Sequence, residues 1–273
     1  METKHSSNEA FTAALTILNP AQRQAVDAIE GPVMVIAGPG TGKTHVLACR
    51  IANILATQDV EPHNILALTF TDAAAKNMRD RIVSMIGFAG YKVAISTFHA
   101  FCSEVIGENP EFFDLARESQ PLTDLERYAL FEEILDSSNL EILRPMGRVL
   151  YYLKDSMSAI SDLKREGITP EKFETILDAE KTLLEQEADE LKKAELTKRE
   201  KNLAKQEELL VIYTKYQAEL RQRNRFDFDD MVTMVAEAFA SHDDLLGQYQ
   251  ELLQYILVDE YQDTNASQNT VVD

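Results

Sequence analysis

The chain has 273 residues, of which 45% are hydrophobic, and this length predicts about two folded domains with substantial cores. Its 46 acidic and 27 basic residues give a formal net charge of −19, which argues against binding of nucleic acid by bulk electrostatic attraction. Two cysteines argue against a disulfide framework or a cysteine metal site, and a polar N-terminus without long apolar runs argues against membrane insertion, so we expect a cytoplasmic location.

The N-terminal residues 1–10 are polar and are expected to be disordered. A helix is then predicted to begin at Asn19 and Pro20, because Asn is a favoured N-cap and Pro is favoured at the first helical position. Gln22 lies in the first turn of this helix. In one interpretation it is only part of a capped helix start. In the other, because a phosphate-binding loop follows, its side-chain amide pairs with N6 and N7 of adenine.

A glycine-rich loop follows a short apolar run, and this is the central motif of the sequence. Val33–Ile36 predicts a buried parallel strand, and apolar residues recur at helical spacing after Lys43. Strand, loop and helix in this order are typical of a P-loop, in which backbone N–H groups and the helix start face phosphates. We predict that Lys43 contacts the β- and γ-phosphates and that Thr44 ligates Mg²⁺. The loop residues of this predicted nucleotide site are Ala37, Gly38, Pro39, Gly40, Thr41 and Gly42.

Two further strand-to-helix units are predicted. The first has a strand at residues 64–71 and a helix that Asp72 can cap, and the second lies at residues 93–102. Strands that alternate with helices indicate a parallel sheet, and ligands bind at the carboxyl ends of its strands. Aromatic and histidine side chains, Phe70, Phe98 and His99, follow these strand ends. They are expected either to pack in the core or to contact nucleic acid.

Residues 104–225 lack this alternation and are predicted to be helical. The part from 171 to 210 is rich in Glu and Lys, and two leucine trios keep a seven-residue spacing. These leucines are Leu177, Leu184 and Leu191, followed by Leu196, Leu203 and Leu210. The pattern predicts long helices with a narrow apolar seam, packed within the domain in preference to a dimeric coiled coil.

An acidic pair follows the last predicted strand, Tyr255–Val258. Asp259 and Glu260 could be a solvated strand end. Together with Lys43 they instead predict a nucleotide site in which Asp259 belongs to the Mg²⁺ shell and Glu260 positions the attacking water. This prediction requires that Lys43 and the acidic pair, far apart in sequence, lie close together in space.

In chain order, the motifs resemble those of superfamily 1 DNA helicases of the UvrD/Rep/PcrA type, over about residues 18–102 and 226–268. Leu18–Gln22 resembles the Q motif, Ala37–Thr44 motif I and Val258–Asn265 motif II. Leu68–Thr71 and Ser96–His99 resemble motifs Ia and Ib. Phe228–Asp230 stands where the family has an Asp-Phe-Asp-Asp segment.

The resemblance implies an α/β fold in which a P-loop RecA-like parallel sheet, flanked by helices, is interrupted by an all-helical insertion. The RecA-like domain 1A would comprise residues 1–103 and 226–273, and the insertion domain 1B residues 104–225. The implied cofactors are ATP and Mg²⁺, and the implied activity is 3′-to-5′ translocation and unwinding at junctions of single- and double-stranded DNA. The residues expected to contact DNA are Thr69, Phe70, Thr71, Thr97, Phe98 and His99.

Some positions depart from the family pattern. His45 stands where the family usually has an Arg that contacts the nucleotide, and we keep it as a nucleotide-site residue. Asp72 and Ala73 replace the Asn and Lys that commonly end motif Ia.

Motif III and the domains 2A and 2B, with their catalytic arginines, are missing, so we expect the chain alone to hydrolyse ATP weakly or not at all. The sheet should also lack one strand, and the oligomeric state stays open. Two alternatives are a fragment of an AddA/RecB-like helicase–nuclease subunit and a non-motor ATP-binding switch.

Overall fold

The computed structural model describes residues 2–113, 119–145, 147–148, 150–188 and 191–273, with the backbone alone for residues 2–8. The helices and strands in chain order are α1 (Glu2–Thr16), α2 (Pro20–Asp27), α3 (Lys43–Thr57), β1 (Ile65–Thr69), α4 (Asp72–Ile86), β2 (Ala94–Thr97), α5 (Phe98–Glu108), β3 (Gln120–Pro121), α6 (Asp124–Ser137), α7 (Leu153–Arg165), α8 (Pro170–Glu187), α9 (Lys193–Gln222), β4 (Arg225–Phe226), α10 (Phe228–Ser241), α11 (Asp243–Leu252), β5 (Tyr255–Val258) and α12 (Ala266–Val272). No described helix has both the length and the apolar composition that a bilayer span requires.

The chain forms two compact units. Unit 1 comprises Met1–Val105, Ala238–Thr264 and Val272, and unit 2 comprises Ile106–Glu237, Asn265–Val271 and Asp273. Each unit has its own core of buried apolar side chains.

Unit 1 contains a small parallel sheet in the order β2-β1-β5. In the register of β1 with its neighbours, Leu66 lies opposite Ala94 and Ile256. All five residues of β1 are buried, as expected for a central strand covered on both faces. The prediction of an α/β fold with a parallel sheet is confirmed.

Two sequence predictions in unit 1 are wrong. The N-terminal residues, expected to be disordered, form α1, because Phe11, Ala14 and Leu15 pack against the core. Val33–Ile36, expected to be a buried strand, has no strand structure, and Ile36 is 92% exposed. A strand needs a partner for its backbone groups, and β5, at the edge of the sheet, pairs only with β1 among the described residues.

The free edge of β5 leads to a prediction about self-association. An edge strand with unpaired backbone groups can pair with another chain, and Ile256 on β5 is 41% exposed. We expect sedimentation velocity to detect a dimer that forms with increasing concentration and that Ile256→Lys suppresses. The control Leu125→Lys, at an exposed position in unit 2, should leave the association unchanged. A chain that stays monomeric at high concentration would contradict this prediction.

Unit 2 is helical, apart from the short parallel strands β3 and β4. Leu177, Leu184 and Leu203 form a buried cluster with Phe173, against which Leu191, Leu196 and Leu210 pack. The predicted apolar seam of α8 and α9 is therefore satisfied within the chain, as expected. A second cluster joins α6 and α7 to the C-terminal half of α9, where Tyr213 and Tyr216 are fully buried.

A buried lysine links three elements of unit 2. The side chain of Lys164, on α7, is 2% exposed, and its Nζ lies 2.7 Å from carboxylate oxygens of both Asp227 and Asp230. The Tyr216 hydroxyl donates a hydrogen bond to Asp227 at 2.9 Å. Burial alone would raise the pKa of Asp227, but Lys164 lowers this pKa to about 2. Asp227, just before α10, and Asp230, in its first turn, therefore anchor the start of α10 to α7 and α9.

Candidate nucleotide-binding site

The glycine-rich loop runs directly into α3, as the sequence predicts. Gly40 and Gly42 have φ angles of 73° and 84°, in the left-handed region that glycine adopts without strain. The Thr41 hydroxyl donates a hydrogen bond to the Gly38 carbonyl at 2.7 Å, which closes the loop on itself. α3 begins at Lys43 and is 15 residues long, so its positive N-terminal end faces the loop.

The acidic pair lies next to the start of α3. Lys43 Nζ is 2.7 Å from Glu260 Oε2, and the Thr44 hydroxyl is 3.4 Å from Asp259 Oδ2, although more than 200 residues separate the partners in sequence. The Asp259 backbone N–H bonds to the Leu68 carbonyl, which extends the pairing of β5 with β1. The structure therefore brings together the lysine, the hydroxyl and the two carboxylates that the sequence selects.

Hydrogen bonding and burial shift the pKa values of Asp259 and Glu260 in opposite directions. The hydrogen bond from Lys43 lowers the pKa of Glu260, and the same bond raises the pKa of Lys43. Burial, followed by the neighbouring charge of Glu260, raises the pKa of Asp259. The lowered pKa of Glu260 and the raised pKa of Asp259 thus have different causes, a hydrogen bond from a cation in one case and burial in the other.

The oxygen atoms of this site fit a magnesium ion. Mg²⁺ in nucleotide sites commonly has one or two protein oxygens, with water and phosphate oxygens as the other ligands. Asp259 is buried and next to the Thr44 hydroxyl, so both oxygens could belong to one coordination shell. The described residues contain no cluster of three or more His, Cys, Asp or Glu side chains that would hold a metal without a nucleotide.

Two neighbouring side chains make contacts that the sequence does not reveal. The amide of Gln22 donates to the Thr41 carbonyl and accepts from the Asn19 backbone N–H, both at 2.9 Å. Gln22 thus connects the start of α2 to the glycine-rich loop. The ring of His45 lies 3.5 Å from Cys49 Sγ, one turn further along α3.

Gln262 contacts the site and was not among the predicted site residues. It lies in a short 3₁₀ helix, Tyr261–Asp263, and its side-chain amide donates to the Glu260 carboxylate. The signals in the sequence are its position two residues after the acidic pair and its place within Val258–Asn265, the stretch that resembles motif II. Glu260 itself has φ 54° and ψ 42°, a left-handed conformation that is rare for residues other than glycine.

The residues predicted to contact DNA differ in solvent exposure and in their hydrogen-bond and ring contacts. Thr69 and Phe98 are each 1% exposed, so for Phe98 the structure favours the core-packing alternative, and neither side chain can meet a ligand directly. Phe70 is partly exposed, and its ring centroid lies 5.9 Å from that of Phe98. Thr71 caps α4, and the Thr97 hydroxyl accepts from the Ala100 N–H in the first turn of α5. His99, also in this turn, is partly exposed.

The chain is therefore an α/β protein with a small parallel sheet. At the carboxyl end of β5, the acidic pair lies beside the lysine that follows the glycine-rich loop. A family model described as the UvrD/REP helicase N-terminal domain matches residues 18–273, and the chain belongs to this family.

Curated relatives include two bacterial proteins named ATP-dependent DNA helicase PcrA. The chain is 34% identical over 262 residues to the protein from Staphylococcus epidermidis and 31% identical over the same length to that from Staphylococcus aureus. Each match covers 96% of this chain and 32% of the relative. The chain therefore spans about a third of the length of these relatives.

Proposed function

We propose that this chain binds ATP, Mg²⁺ and single-stranded DNA as the N-terminal part of an ATP-dependent helicase that moves 3′ to 5′ on DNA. The observation that carries the proposal is the 2.7 Å contact between Lys43 and Glu260, with Thr44 and Asp259 beside it. These are the residue types that P-loop ATPases use to bind and hydrolyse a nucleoside triphosphate. Family membership and the names of the relatives support the same reading.

In the proposed site each residue has one role. The loop N–H groups and Lys43 bind the phosphates, and Thr44 and Asp259 hold Mg²⁺, which when bound neutralises charge on the phosphate oxygens. Glu260 orients a water molecule and accepts its proton. Lys43 pairs with Glu260, so a γ-phosphate that Lys43 binds would replace Glu260 as its partner and free the carboxylate for this task.

For DNA, we propose that Phe70 supplies the stacking surface at the end of β1. The buried ring of Phe98 contacts that of Phe70, with centroids 5.9 Å apart, and Thr69 is a buried part of the same strand end. Thr71, Thr97 and His99 are proposed to contact the DNA backbone. Stacking and backbone contacts of this kind tolerate any base sequence and do not need a strongly basic surface.

Two separate titrations test the proposal. MgATP binding is measured by calorimetry, and binding of a labelled oligothymidylate is measured by fluorescence anisotropy at low salt. We expect both ligands to bind, and Phe70→Ala to weaken only the DNA complex. Nucleotide binding without any DNA affinity would contradict the motor function and favour a nucleotide-dependent switch.

The proposed adenine contact of Gln22 gives a further prediction. Gln22→Leu removes the side-chain oxygen that would accept from the N6 amino group of adenine, whereas guanine has an O6 acceptor at that position and both purines share N7. The variant also loses the contacts with the Asn19 N–H and the Thr41 carbonyl, but this loss affects both nucleotides alike. We expect the preference for ATP over GTP to fall about 2- to 10-fold, the usual effect of one hydrogen bond. Competition between the two nucleotides measures this ratio, and an unchanged ratio would remove Gln22 from base recognition. Gln58→Leu, at the end of α3, is the matched control.

A further inference from the structure

A pair of tyrosines in unit 2 stands out from the helical surface around it. Tyr151 and Tyr152 precede α7, and their rings meet edge to face, with centroids 4.7 Å apart and planes at 89°. Tyr152 packs against the core of unit 2, whereas Tyr151 is 58% exposed. The Tyr151 N–H donates to the Arg148 carbonyl at 3.0 Å, so a hydrogen-bonded backbone turn connects the two residues.

Each ring carries a cation. The Arg148 guanidinium lies 5.9 Å from the centroid of Tyr151, and Lys205 Nζ lies 4.5 Å from the centroid of Tyr152. Neither cation forms an ion pair with a carboxylate of the described residues, although the chain has 46 acidic side chains. The charges of Arg148 and Lys205 therefore remain available to an anionic ligand.

We propose that Tyr151, Arg148 and Lys205 form a binding site for single-stranded DNA in unit 2. An unpaired base would stack on Tyr151, and the two cations would bind adjacent phosphates. An aromatic face with flanking cations suits an unpaired nucleotide, because every base has a face to stack and every linkage has a negative charge. Double-stranded DNA offers Tyr151 no free base face, since its bases are already stacked on each other.

This inference rests on the proposed function and adds a second DNA contact, far in sequence from Phe70. Two cations neutralise only two phosphates, so they supply weak, local binding. Such binding is compatible with a net charge of −19, because it needs no basic surface. The site would therefore contribute affinity without holding the strand tightly.

The test uses anisotropy titrations of the whole chain with a labelled oligothymidylate. Tyr151→Ala should weaken binding about 5- to 100-fold, the usual effect of losing one stacked base, whereas Tyr151→Phe keeps the ring and should stay within about twofold. Arg148→Gln and Lys205→Gln should each lower the slope of log affinity against log salt by about 0.7, the value for one phosphate of a single strand.

Tyr91→Ala is the matched control, since Tyr91 is 59% exposed and pairs with Phe88 but has no cation over its ring among the described residues. It should leave DNA affinity unchanged. If Phe70→Ala weakens binding but Tyr151→Ala does not, the proposed function stands and the site in unit 2 is refuted. If the wild-type chain binds no oligothymidylate, both are refuted. Equal losses for Tyr91→Ala and Tyr151→Ala would also overturn the inference.

Discussion

Replacing Lys43 with alanine is expected to lower the affinity for MgATP by about 10- to 100-fold, the usual effect of losing hydrogen bonds from a charged donor. Lys43 begins α3 and is the cation that faces Glu260, so in the proposed site it is the main positive side chain next to the terminal phosphates. Calorimetric titration with MgATP and with a non-hydrolysable analogue measures the loss.

The folded state should tolerate this change well, because the Lys43–Glu260 pair is partly exposed and such pairs contribute little to stability. Thermal unfolding of Lys43→Ala should therefore match that of the wild type. Arg199→Ala is the control, since it removes an ion pair of similar length, 2.9 Å, at an exposed position in unit 2. Retained nucleotide affinity in Lys43→Ala would show that the phosphates bind elsewhere.

Lys164→Met is expected to lower the free energy of unfolding of unit 2 by about 3–5 kcal/mol, the usual cost of removing one partner from a buried ion pair. Methionine keeps much of the side-chain volume, so the loss reports the charge more than the packing. Without Lys164, the carboxylates of Asp227 and Asp230 would be left buried without the ammonium that bonds both at 2.7 Å. Urea denaturation followed by circular dichroism measures the change.

Lys181→Met is the matched control, because Lys181 pairs with Glu207 on the surface, where an ion pair contributes about 0–1 kcal/mol. Combining Lys164→Met with Asp227→Asn and Asp230→Asn removes the uncompensated charges and should recover part of the lost stability. A change below about 1 kcal/mol for Lys164→Met alone would mean that water or other cations compensate the two carboxylates.

The residues that form the nucleotide site could be selected from the sequence because their spacing reflects local geometry. A glycine that must adopt positive φ, a lysine at the first position of a helix and carboxylates after a strand each leave a recognisable local pattern. Topology accounts for the acidic pair alone, since Asp259 and Glu260 come directly after β5, at the carboxyl end of a parallel strand. The run before the glycine-rich loop is not a strand, so the position of Lys43 does not follow from the same rule.

The sequence was less informative where structure depends on distant partners. The apolar run Val33–Ile36 has the composition of a strand, but a strand also needs a neighbour, which composition cannot supply. Nothing near Lys164 indicates that it is buried, because its partners Asp227 and Asp230 are more than 60 residues away. For Phe98, a position after a strand end suited both the core and a ligand, and only the packing around it decides in favour of the core.

The backbone of Glu260 has a consequence for how this chain would evolve. A left-handed conformation costs a residue with a side chain about 1 kcal/mol or more, and glycine would adopt it freely. Selection for heat resistance alone, in a library grown without any demand for ATP turnover, should therefore replace Glu260 with glycine or asparagine. If the library is instead carried within a whole helicase whose growth demands the proposed ATP turnover, it should keep glutamate and accept the less stable protein.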